Sequence, residues 1–364
     1  MPTQFFPSRT VTLYMARLFL TRTFAVLAAL VLILLALDML GESGDILAYK
    51  GNGDAQLWYY ASLRAPQIVA RFLPFSVLLG TLITLTTLNQ NSEIISLKGS
   101  GMSAHQILAP LIVASLGIAA ISFAFNERIV SHATATLTRW QGVNYAPLPK
   151  GEGVLTNIWA RKDDDLIHVE VVSGRGTGTL LQDVAIYDRN GGVLKSIVTG
   201  KDARLVGNAW RLREATRFDA AQGTETALGT VDVAQGVRPD QFTLSSVDAD
   251  GLSFGALNAA ISDLKAAGRP TAALEAGLWH KVSGPLSSML MPLLGAVAGF
   301  GLARSGKLFV RAVTGMLLGF TYFVADNFAL AMGNLGAYPP LLAAWAPFLL
   351  FLLIGETVLV RTEE

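Results

Sequence analysis

From Phe24 to Leu37 the chain carries no polar side chain at all. A backbone surrounded by hydrocarbon has no water to bond, so a run like this crosses a membrane only as a helix. Five further stretches share its character: about Leu63 to Leu88, Ile107 to Phe125, Leu278 to Leu302, Leu308 to Met332 and Leu341 to Val360. Crossing roughly 30 Å of hydrocarbon takes about 20 helical residues, and the first run reaches that length when counted back through Tyr14. The pattern predicts six transmembrane helices, three on each side of a polar middle. A cleaved leader accounts less well for the first run, which is longer than a signal core and lacks a small-x-small cleavage site after Leu37.

Charge divides the chain. Only 15% of the 364 residues are charged and mean hydropathy is +0.46, yet 34 of the 55 Asp, Glu, Lys and Arg residues lie between Asn126 and Glu275. Helices in 1–126 and 276–364 therefore flank an inserted, water-exposed domain over 127–275. The net charge of +1 lacks the clustered excess a nucleic-acid surface needs, so no nucleic-acid partner is expected. Cysteine is absent, which excludes a disulfide framework, a zinc ribbon and a thiol nucleophile.

Within the middle, the apolar period drops to two. Ile167, Val169 and Val171 alternate with His168 and Glu170, and the cluster from Lys162 to Asp165 reads as a turn. Val184 to Tyr187 and Val193 to Val198 flank Asp188-Arg-Asn-Gly-Gly192, while Gly207-Asn208 separates two more short strands. Such spacing predicts a β-sandwich or open jelly roll. Arg9, Arg17, Arg22, Lys98, Arg304, Lys307, Arg311 and Arg361 all fall on one side if the spans alternate, which makes that side cytoplasmic. Both termini are then inside, and the loop Gly41 to Gln56 and the β domain face outward.

Several motifs carry no chemistry. Gly301-Leu-Ala-Arg-Ser-Gly-Lys307 matches seven positions of a P-loop, but Leu308 stands where a metal-binding hydroxyl belongs and a membrane helix precedes it. Gly174 to Gly178 joins strand to strand with no helix N-terminus behind it, and His168 has no nucleophile partner. No metal-ligand spacing or nucleophile elbow occurs elsewhere, so the chain reads as a non-enzyme that binds no cofactor of its own.

Arg71-Phe-Leu-Pro-Phe-Ser-Val-Leu-Leu-Gly80, Asn91-Ser-Glu-Ile-Ile-Ser-Leu-Lys-Gly-Ser-Gly-Met-Ser103, Leu278-Trp-His-Lys-Val-Ser-Gly-Pro-Leu-Ser287 and Val310-Arg-Ala-Val-Thr-Gly315 stand in that order along the chain. Their combination resembles the permease subunits of the lipopolysaccharide export ABC transporter, the LptF/LptG family, over nearly the whole length. Trp279-x-Lys281 followed by Pro285-Leu286, with Asp326, looks more like the G-type than the F-type subunit. The resemblance implies a multi-pass inner-membrane half-transporter with a periplasmic β-jelly roll. It also implies an F-type six-span partner, a cytoplasmic ATPase dimer that uses ATP and Mg, jelly-roll bridge proteins, and lipopolysaccharide taken from the outer leaflet among membrane lipids.

Candidate residues follow. A short cytoplasmic helix over about 90–101 is expected, with Ser92 as its cap, Ile94 and Ile95 as an apolar edge, Lys98 in its last turn, and Gly99 and Gly101 ending it. The resemblance implies that this helix docks into the ATPase and that Glu93 touches it; alternatively Glu93 only complements the helix dipole. Arg64 and Arg71, seven residues apart, share a helix face at the outer end of span two. They either bind ligand phosphates or snorkel to head groups, and Arg139 matches a basic position of the family. Asp38 and Asp326 near outer span ends either order a gate or face water. Asp38 to Ser43 departs from the lysines that the G-type commonly carries there, which puts basic recognition by span one in doubt. Gly315-x-x-x-Gly319 and Gly295-x-x-x-Gly299 permit close helix packing, and the resemblance implies lateral gates at spans one and five. A membrane-anchored periplasmic scaffold is the competing reading. It gives no reason for a docking helix.

Overall fold

The structure, a computed structural model, describes residues 7–147, 155–162, 164–174, 178–239, 242, 248–266, 269–299 and 308–361. The chain forms two compact units, one of Met1–Ser43, Leu57–Thr134 and Ala249–Glu364, the other of Gly44–Gln56 and Ala135–Asp248. The second unit is thus narrower than 127–275, because Asn126–Val130 and Phe254–Ala266 are helical and belong with the spans. The P-loop-like segment 301–307 lies outside the described residues, as do Asp163 and residues 175–177.

The helices are α1 (Arg9–Ala48), α2 (Asp54–Gln90), α3 (Glu93–Gly99), α4 (Ala104–Phe125), α5 (Ser131–Gly142), α6 (Phe254–Ala266), α7 (Ala272–Gly299), α8 (Leu308–Asn334) and α9 (Pro340–Arg361). Among the described residues five helical segments are long and apolar enough to cross a membrane: α1, α2, the continuous run Ala104–Gly142, Ala312–Asn334 and α9. The expected Gly41–Gln56 loop is much shorter, since α1 continues through Gly41 and Gly44 and ends only before Gly51, whose φ of +105° cannot continue a helix. A π-helical turn, Asn126–Val130, separates α4 from α5.

The bundle core runs from Met15 and Phe19 of α1 through Val77, Leu78, Leu82 and Leu85 of α2 and Ile107 and Leu108 of α4 to Leu290 and Leu294 of α7. Lipid is as apolar as leucine, so tight backbone approach does much of the packing. A Cβ on Gly80 would lie 2.2 Å from Thr23 Oγ1 and 2.8 Å from Thr23 Cα. Burial differs sharply between helices: 56% of the most apolar stretch of α2 is buried, against 6% for α1.

The second unit holds one six-stranded antiparallel sheet, β1 (Leu155–Lys162), β2 (Asp165–Ser173), β3 (Leu180–Asn190), β4 (Val193–Val206), β5 (Ala209–Asp219) and β6 (Thr224–Val233), in sequence order. Among the described residues this is a meander, without the Greek-key crossover that defines a jelly roll. Tight connections explain it: Gly191, Gly192 and Gly207 take positive φ in the predicted hairpins. Its core stacks Ile158, Ile167, Val169, Val184 and Ile186 with Trp210, whose Nε1 donates to Val237 O at 2.8 Å and whose ring meets Phe242 edge-on at 5.3 Å. On the solvated face Arg211 pairs with Asp232, and that hydrogen bond holds the Asp232 carboxyl below its ordinary range.

Gly80→Ala is expected to force α1 away from α2 and to destabilise the bundle by about 1–3 kcal/mol. A lowered melting temperature in detergent is the measurement, and an unchanged one would mean that the close approach is not needed.

Candidate functional site

Two features of the first unit stand out. One is a cavity of about 730 Å³ walled by α1, α2, the α4–α5 π turn, α7 and α8. Pro74 and Pro285 both line it, and their missing N–H groups leave the carbonyls of Ala70 and Lys281, on the same wall, without their helical donors. The π turn contributes Asn126 and Val130, an irregularity of backbone that membranes tolerate where it lines a cavity.

Charge gathers in this cavity. Arg64, Arg71, His280 and Lys281 line it together with Asp38, Asp250 and Asp326. Arg64 of α2 grips Asp38 of α1 with a two-point fork, Nη2 to Oδ1 at 2.8 Å and Nε to Oδ2 at 3.0 Å, while its Nη1 donates to Gln67 Oε1 at 2.8 Å. The Tyr60 hydroxyl donates to Asp38 Oδ2 at 2.6 Å. Across the cavity, His280 Nε2 of α7 stands 3.0 Å from Asp326 Oδ2 of α8. Arg71 is exposed on the cavity wall and makes no hydrogen bond or ion pair with a described residue.

The second feature is α3. Glu93 opens it and accepts from the Tyr14 hydroxyl of α1 at 3.0 Å. Ile94 is buried in the bundle core, which leaves Ile95 as the exposed apolar side chain. Ser92 occupies the N-cap position, but its side chain caps nothing. Its φ of +60° puts the backbone in the left-handed region, where the chain turns out of α2, instead of the extended conformation of a capping residue. Lys98 falls in the last turn, and Gly101, at φ +88°, stops the helix as expected.

A profile described as the lipopolysaccharide export system permease LptF/LptG matches residues 13–361. The chain belongs to the LptF/LptG family. Curated relatives include the lipopolysaccharide export system permease protein LptG of Escherichia coli K12, 26% identical over 83% of this chain and 84% of that protein. The protein of the same name from Haemophilus influenzae is 24% identical over 86% and 89%. A transport permease is the class these names define, and the long apolar helices of this chain fit a multi-pass membrane protein.

Within this family member, Arg64 and Arg71 both line the cavity. Asp38 and Asp326 both line that cavity too, each with a partner, instead of simply facing water. Gly315 and Gly319 pack inside the chain. A Cβ would meet Leu82 at 2.9 Å and Leu78 at 2.2 Å, both on α2, so this face of α8 is not free for another subunit. Arg139 lies in the other unit, with Nε donating to Ala135 O within α5.

Sequence reasoning missed the Asp38–Arg64 pair and the cavity role of His280 and Lys281. The first was recoverable by arithmetic: Asp38 lies eleven residues before the turn 49–53 and Arg64 eleven after it, so an antiparallel hairpin puts them at one depth. Arg64→Met should unpin the C-terminal half of α1 and cost about 1 kcal/mol, small because both partners are partly solvated. Faster alkylation of a cysteine placed at Leu37 in this cysteine-free chain would report it; an unchanged rate would show that the pair does not hold α1.

Proposed function

We propose that the chain is the permease half of an ATP-driven extractor of lipopolysaccharide. The glycolipid leaves the outer leaflet of the inner membrane sideways, enters the cavity between α1, α2, α7 and α8, and passes to the β unit and onward to a periplasmic bridge. α7 is the sixth span in this reading. Both termini are cytoplasmic and the β unit is periplasmic, as the basic residues at Arg9, Arg17, Arg22 and Arg361 favour. A homologous F-type permease completes the cavity, and a cytoplasmic ATPase dimer supplies the energy.

The observation that carries this reading is the cavity. It combines apolar walls for acyl chains with cations at partial burial, where attraction to phosphate is stronger than in water. Arg71 meets the ligand first because its guanidinium is uncommitted, and Arg139 serves at the start of the β unit. At the other end α3 offers an edge of exposed Ile95 and half-buried Glu93 and Lys98 to the ATPase, anchored from behind by Ile94. A periplasmic scaffold would need neither the cavity nor this edge.

Arg71→Glu is expected to lower lipopolysaccharide photocrosslinking in the assembled complex by about tenfold, the value of one charge-assisted contact. Wild-type yield would remove Arg71 from the binding site. Glu93→Ala should leave membrane insertion and ATP hydrolysis in place while export falls to background. Wild-type export from reconstituted vesicles would show that Glu93 does no more than favour its own helix.

A further inference from the structure

Every nitrogen of the Arg64 guanidinium is already engaged. Asp38 takes Nε and Nη2 side-on, and Gln67 takes Nη1. One N–H each on Nη1 and Nη2 is left over, but the side-on fork is held by Asp38, and an anion that binds Arg64 through that fork must replace it. We infer that Asp38 is a specificity-determining residue of the cavity, an internal carboxylate that yields Arg64 to a phosphomonoester dianion but not to the phosphodiester monoanion of an ordinary glycerophospholipid. The inference rests on the reading of the cavity as a lipid site.

Charge and geometry support it. A carboxylate and a phosphodiester each carry one negative charge, so exchanging one for the other on Arg64 gains no Coulomb energy. It also strands Asp38, whose side chain is 22% exposed, without its cation. A phosphomonoester carries roughly −1.5 to −2 near pH 7 and presents three acceptor oxygens to the guanidinium fork. The extra charge offsets what the exchange costs. Tyr60 lowers that cost, because its hydroxyl, at 2.6 Å, can stay with Asp38 after Arg64 has left. Arg71, on the same face two turns away and without a described partner, draws in anions of either kind; the second step at Arg64 is the one that discriminates. Glycerophospholipids far outnumber any single glycolipid in a membrane, so an uncommitted pair of arginines in a laterally open cavity would fill with them.

The test uses the full complex in phosphatidylglycerol vesicles containing lipopolysaccharide, with a benzophenone side chain in place of Leu37 on the cavity wall. The readout is the ratio of phosphatidylglycerol to lipopolysaccharide adducts. Asp38→Asn, which keeps the shape and loses the charge, should raise that ratio about tenfold. Asp38→Asn combined with Arg64→Gln should return it to the wild-type value, since no cation is then released. Arg22→Gln, which removes a separate α1–α2 contact to the Ile83 carbonyl, should leave it unchanged. A ratio unmoved by Asp38→Asn overturns the inference, as does an equal rise with Arg22→Gln, which would assign the effect to a looser α1. A wild-type complex that gives no lipopolysaccharide adduct overturns the cavity reading itself.

Discussion

Leucine against leucine gains little in a solvent that is itself hydrocarbon, so a lipid-embedded bundle is held chiefly by how near its backbones approach and by the few polar contacts it can close. Here α2 is the element around which both are organised. Gly80 lets the backbone of α1 pass against it, and Gly295, Gly315 and Gly319 bring α7 and α8 onto its Thr81, Leu82 and Leu78. The same helix carries Arg64 and Arg71 into the cavity, and its last turn leads through Asn91 and Ser92 into α3. Glycines that look like sites for a neighbouring subunit are used within the chain.

α1 is the exception to this close packing. It buries Met15, Phe19 and Leu27 in the core and leaves Phe24, Leu32, Ile33, Leu37 and Leu40 exposed. A helix with so few interior contacts depends on its named attachments: Tyr14 to Glu93, Arg22 to the Ile83 carbonyl, Thr23 against Gly80, and Asp38 to Arg64. Segments that move are drawn from the weakly packed parts of a structure, and α1 borders the cavity along Leu34, Leu37 and Asp38.

Five of the six expected spans and the hairpins were legible in the sequence because hydrocarbon thickness and two-residue turns leave few alternatives. Less was legible where a residue's role depends on a distant partner. β6 was missed because it is polar and mostly exposed, with no alternation to mark it. α6 was absorbed into the β domain although Leu257, Ile261 and Leu264 fall on one helical face, all buried. Ser92 has the right residue type for a cap, but a left-handed turn out of α2 fixes its direction. Ile94 and Ile95 are equivalent by composition, and only the packing of α3 on the bundle separates the anchor from the exposed edge.

The two ends of the α1–α2 pair are joined by one continuous helix. Asp38 lies 24 residues beyond Tyr14 in one unbroken helix, and at 1.5 Å per residue that is about 36 Å, the thickness of a membrane. α2 covers the return distance between Arg64 and the start of α3. The paired helices are thus fastened at both ends, by Tyr14 and Glu93 at one and by Asp38, Tyr60 and Arg64 at the other. Between those ends α1 is also held to α2 by Arg22 on the Ile83 carbonyl and by Thr23 against Gly80, so one helix carries four attachments to the same neighbour and its short extension α3. On the function proposed above, a pull on α3 and a ligand at Arg64 would therefore both bear on one body, α1.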